Sequence, residues 1–133
     1  MVDGAGLGQN ARAALIARGF AEMQRYGRAR GARAETLAGL SGLGDLVLTC
    51  SSESSRNFSL GRGLGQGKSA DDLLSDRLSV AEGAATAPVL AASAQMLGVD
   101  MPIVNAVGSL LDGSADVDAV VRNLLARPLK AEA

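Results

Sequence analysis

This 133-residue chain predicts an all-α fold of six to eight helices. Three features predict it. Alanine and straight-chain residues, which favour helix, fill most segments. Apolar residues recur at spacings of three, four and seven, which places them on one helical face. Glycine and proline fall at segment ends, where helices stop and start. Apolar residues make up 47% and charged residues 20%, a composition that supports a packed core. The length suits one domain, spanning residues 1–133.

The first helix is expected over about 10–30. Asn10 is a plausible cap, Ile16, Phe20 and Met23 form an apolar stripe, and Gly31 is a stop. Glycines 39, 42 and 44 punctuate the next segment. A short helix over 45–50 follows. Leu46, Val47 and Leu48 could also form a buried strand, but no second strand is available to pair with it. Residues 51–55 read as a serine-rich loop and 56–64 as helix. Ser69 to Asp72 resembles a capping box that opens a short helix through Asp76. A longer helix covers 82–97, either kinked at Pro88 or starting near it, and Gly98 closes it. Pro102 suits the first position of a helix over 102–111. Ser114 is expected to cap the last helix, whose apolar residues are Val117, Val120, Val121, Leu124 and Leu125. Pro128 is expected to end it.

Several function classes are excluded. Histidine is absent and Cys50 is the single cysteine, so His-dependent triads, His-ligated metals, zinc knuckles and intrachain disulfides are ruled out. A net charge of −1 and an aromatic content of 2% argue against nonspecific nucleic-acid binding. No apolar run reaches the roughly 18 residues of a transmembrane helix, and no leader pattern opens the chain. A cytoplasmic location is the default expectation.

Four motifs could carry chemistry. The run Gly61 to Ser69 looks like a phosphate loop, but Arg62 stands where that motif needs glycine. Gly4 to Gly8 lacks dinucleotide-fingerprint spacing and reads as a turn. Asp45 and Thr49, four apart, share a helix face and could serve a polar site; Asp45 could equally favour the helix dipole alone. Ser51 to Asn57, read with Arg62, could form an anion site or a solvated loop. In the anion reading, Arg56 offers a planar donor fork and Asn57 two further donors beside free helix amides.

The segment Gly39-Leu40-Ser41-Gly42-Leu43-Gly44-Asp45-Leu46-Val47-Leu48-Thr49-Cys50 resembles the signature of bacterial NAD(P)-dependent glycerol-3-phosphate dehydrogenases. The resemblance continues in Ser55-Arg56-Asn57 and Leu64-Gly65-Gln66-Gly67. Upstream it includes Asp3-Gly4, Asn10 to Ile16 and Arg18-Gly19. Downstream it includes Glu82-Gly83, Thr86-Ala87, Leu97-Gly98-Val99 and Met101-Pro102-Ile103.

This resemblance implies the all-α, C-terminal substrate domain of the glycerol-3-phosphate and 6-phosphogluconate dehydrogenase type. The reaction it implies interconverts sn-glycerol 3-phosphate and dihydroxyacetone phosphate with NAD or NADP, supplying phospholipid synthesis. By motif matching, Asp45 supports a catalytic lysine and the substrate hydroxyl, and Thr49 lines the site. Ser55, Arg56 and Asn57 contact the substrate. Arg56, Val80 and Glu82 contact the cofactor. The family's lysine, in an Ala-Leu-Lys-Asn motif, and its Rossmann half are expected to lie outside this chain. Lys68 and Lys130 do not replace that lysine, so the chain alone is expected not to transfer hydride. A surface bared at the N-terminal helix is a further expectation, and a homodimer stays open. The alternative reading is a helical interaction or assembly module without catalysis.

Overall fold

A computed structural model describes residues 1–75 and 81–127. Among these residues the chain forms eight α-helices and one π-helical turn, with no strand. The helices are α1 (Gly8–Ala29), α2 (Ala34–Ala38), α3 (Asp45–Ser51), α4 (Arg56–Gly65), α5 (Ala70–Leu74), α6 (Glu82–Leu97), α7 (Pro102–Leu111) and α8 (Val117–Leu125). The π-helical turn, Leu40–Gly44, runs directly into α3. Leu46 to Leu48 are therefore helical, not a strand. Helix α6 is continuous through Pro88.

The long helix α1 packs against α2, α3, α7 and α8. The core lies at the α7–α8 end, where Leu110, Val120 and Leu124 are buried. Leu15, Ile103, Ala106 and Val117 close around them. Helix α4 packs against both α3 and α6.

The face of α1 that does the packing differs from the expected apolar stripe. Ile16, Phe20 and Met23 are only half-buried, whereas Ala21, Glu22 and Gly27 are buried. Leu15, Arg18, Glu22 and Arg25 fall at helical spacing, so they share a face. Leu15 meets the core. Arg18 donates to the carbonyls of Leu124 and Arg127 at the end of α8, at 3.4 and 3.1 Å. Glu22 accepts the Ile103 and Val104 amides at the start of α7, at 2.5 and 3.2 Å. Arg25 donates to the Asp100 carbonyl at 3.0 Å. Helix ends expose unpaired backbone groups that must find partners. Polar side chains on α1 provide them, which is why its buried face is not purely apolar.

Local caps account for other boundaries. Ser69 caps α5 through the Asp72 amide, as the capping-box pattern predicts. Asn10 does not cap α1, which starts at Gly8 without a side-chain cap. Asp116, not Ser114, caps α8 through the Ala119 amide. The Ser114 amide instead bonds Asp112, which extends the α7–α8 turn. The expected stop at Pro128 lies outside the described residues, and α8 ends at Leu125. The most exposed large apolar side chains are Leu40, Leu48, Val89 and Met96. They lie on the π-helical turn, α3 and α6, and not on α1 as expected.

Candidate active-site surface at the starts of α4 and α6

Ser55 opens α4 as its N-cap, with Oγ accepting the Phe58 amide at 3.3 Å. This cap leaves the amides of Arg56 and Asn57 without a partner among the described residues. Arg56 is exposed, and it makes no ion pair among the described residues. A helix start with free amides and a free guanidinium favours an anion.

The start of α6 meets this surface. Its own N-cap position is Ala81, which has no side-chain acceptor. Asn57 supplies the missing acceptor: its Oδ1 takes the Gly83 amide at 2.9 Å. Glycine leaves room for this approach: a Cβ at residue 83 would stand 2.9 Å from Asn57 Oδ1 and 3.2 Å from its Cγ, so the carboxamide would have to shift. The bond sets Glu82, the first residue of α6, beside the start of α4. Glu82 is exposed.

Asp45 is the first residue of α3 and follows the π-helical turn without a break, so it lies within a continuous helical stretch. Thr49 lies one turn further on. The π-helical turn delivers Asp45, and it requires glycine at 42, where a side chain would collide with the Leu37 carbonyl. Helix α3 packs against α4. Among the described residues, no hydrogen bond joins Asp45 or Thr49 to Ser55, Arg56 or Asn57. The structure thus couples Asn57 to the start of α6 directly, and places Asp45 and Thr49 on an adjoining helix. Val80 lies outside the described residues.

Arg62 does not join the anion surface. It pairs with Glu53 at 2.7 Å and Asp3 at 3.5 Å, tying α4 to the first turn of the chain. The phosphate-loop lookalike, Gly61 to Ser69, spans the end of α4, a turn and the cap of α5. The chain's first turn packs on it at Gly65. Burial pushes the Cys50 thiol above its ordinary range, with the Arg12 and amino-terminal charges opposing, so Cys50 is a poor nucleophile. Among the described residues, no group of three or more acidic or cysteine side chains could hold a metal ion. No helix of the described residues is long and apolar enough to cross a membrane.

A cavity of about 470 Å³ lies elsewhere, between the α4–α5 turn and the α7–α8 turn. Lys68, Asp71, Leu110 and Asp116 are among its lining residues, and none of the expected site residues is. The sequence reading assigned Gly83 no role. Its only local signal is a glycine one residue into a helix, whereas its contact with Asn57 is long-range.

Comparisons with known proteins identify the family. The family profile described as "NAD-dependent glycerol-3-phosphate dehydrogenase C-terminus" matches residues 1–122. The chain is 71% identical over 132 residues to glycerol-3-phosphate dehydrogenase [NAD(P)+] of Erythrobacter litoralis, covering 99% of this chain and 40% of that protein. It is 67% identical over 132 residues to the enzyme of the same name from Novosphingobium aromaticivorans, with the same coverage. The crystal structure of glycerol-3-phosphate dehydrogenase from Coxiella burnetii superposes with a TM-score of 0.91 at 41% identity. That match covers 95% of this chain and 39% of the Coxiella chain. The chain therefore spans about two fifths of the length of the relatives it matches. With an all-α fold and a profile match over nearly its whole length, the chain belongs to the NAD-dependent glycerol-3-phosphate dehydrogenase family, as a C-terminal domain of that enzyme.

Proposed function

We propose that the junction of α4 and α6 recognises the phosphate end of sn-glycerol 3-phosphate and dihydroxyacetone phosphate in an NAD(P)-dependent glycerol-3-phosphate dehydrogenase. The observation that carries this reading is Arg56: an exposed guanidinium with no ion pair among the described residues, at a helix start, beside the Asn57 amide. Arg56 binds the phosphate through its planar donor fork. Asn57 Nδ2 and the free helix amides add neutral donors. Binding energy from the phosphate then positions C2, the carbon that changes oxidation state. Asp45, where the π-helical turn passes into α3, holds and orients the cationic acid–base group that moves the C2 hydroxyl proton. The family resemblance assigns that group to a lysine outside these residues.

Arg56 and Glu82 suit the rim of a nicotinamide dinucleotide, since both are exposed where two helix starts adjoin. The described residues contain no strand–turn–helix cradle that would seat the whole cofactor. When bound, the dinucleotide gives or takes the hydride. On the same reading the enzyme works in the cytoplasm and supplies glycerol 3-phosphate for phospholipid synthesis, and the purified chain alone does not oxidise NADPH. Homodimer formation can be tested by light scattering.

Calorimetric titration of the chain tests the reading. Glycerol 3-phosphate should bind, glycerol should not, and R56A should weaken binding about 10- to 150-fold. Equal binding by R56A and the parent chain would remove Arg56 from the site.

A further inference from the structure

We propose that Gly83 is a positioning residue for phosphate recognition: it holds Asn57 so that Oδ1 faces α6 and Nδ2 is left for the anion. This inference rests on the phosphate-site reading above.

The argument starts from the chemistry of the two groups. A backbone N–H can only donate, so the Asn57 atom 2.9 Å from the Gly83 amide must be the oxygen. Fixing the oxygen on the Gly83 amide also fixes which end of the carboxamide donates, and it leaves both N–H groups of Nδ2 for another partner. Asn57 makes no other side-chain hydrogen bond among the described residues, so Nδ2 has no competing acceptor there. Gly83 contributes twice. Its amide supplies the bond, and its missing Cβ leaves room for the Asn57 carboxamide, which a Cβ would approach to 2.9 Å. An aspartate at 57 could also cap α6, but it would oppose a phosphate. A neutral carboxamide can accept from one partner and donate to the other.

A double-mutant cycle read by NMR titration of the ¹⁵N-labelled chain with sn-glycerol 3-phosphate tests the proposal. G83A should weaken binding about tenfold, the loss of one hydrogen bond to a charged group. In the N57A background the same change should have less than about a twofold effect, because its target is gone. Alanine is a better helix former than glycine, which offsets the weakened α6 cap, so thermal stability should change little with G83A. If G83A does not fold, N57D serves instead. It keeps an oxygen for Gly83, so that amide stays protected from exchange, while glycerol 3-phosphate binding is lost.

Unchanged binding by G83A, with R56A still weakened, would overturn the proposal and leave the phosphate site standing. Equal loss in both backgrounds would make the effect a general shift of α6 and would also overturn it. No difference between R56A and the parent chain would overturn the site reading and this proposal with it.

Discussion

Helices α6 and α7 solve one problem in two ways. Each begins after a residue with no side-chain acceptor, Ala81 or Met101, and each is capped by a side chain from a distant helix. For α7 the cap is Glu22, which is 2% exposed and gives both carboxylate oxygens to backbone amides. For α6 the cap is Asn57, which is exposed and gives one oxygen. Burial closes Glu22 to a ligand. Asn57 keeps two donors, beside Arg56, which makes no ion pair among the described residues. The contrast shows that a polar residue's partners, more than its type, separate framework from site.

The first way to break the comparison is Glu22→Ala, with the largest expected effect. It leaves two amides without their acceptor, at about 1–3 kcal/mol each, so a loss of about 2–6 kcal/mol should appear in urea unfolding. A loss well under about 1 kcal/mol would mean that Glu22 is not a framework cap. Next comes Arg56→Ala, which should weaken glycerol 3-phosphate binding by about 1.5–3 kcal/mol and leave the unfolding midpoint unchanged. A large drop in the midpoint would place Arg56 with the framework. Ser55→Ala removes the local cap of α4, and a stability loss of about 1 kcal/mol should follow. A variant as stable as the parent would show that the Phe58 amide finds another acceptor.

The smallest effect is a pH dependence. Burial raises the Glu22 pKa, while the Ile103 and Val104 amides and the charges of Arg25 and Arg127 pull it down. A carboxyl raised on folding binds more protons in the folded state. Its contribution is therefore fully present below the unfolded value, near 4.5, and is lost as pH rises through the folded value. The stability of the parent chain relative to Glu22→Gln should be greatest at about pH 4 and decline towards pH 7. A flat or rising difference would contradict the burial of this carboxyl.

What the sequence made legible follows the same division. The limits of α6 and α7 match the expected 82–97 and 102–111, because local glycine and proline signals set the ends. Ser69 was legible as a cap because its partner lies three residues away. The candidate trio at 55–57 stands out in the sequence by its donors and by its resemblance to the family motif. Helix α2 and the π-helical turn were not, since a glycine-rich run reads as punctuation until packing against Leu37 is known. The roles of Arg18, Glu22 and Gly83 escaped for one reason. Each acts on a helix end far along the chain, and local spacing carries no trace of it.

The central claim is that phosphate binds where α4 and α6 begin, not in the cavity between the α4–α5 and α7–α8 turns. Mapping amide shifts of the ¹⁵N-labelled chain during titration with sn-glycerol 3-phosphate tests this most directly. The account predicts shifts concentrated at residues 55–57 and 82–83, with the Asn57 side-chain amide among them. Shifts concentrated at 64–71 and 110–118, with 55–57 unmoved, would contradict it.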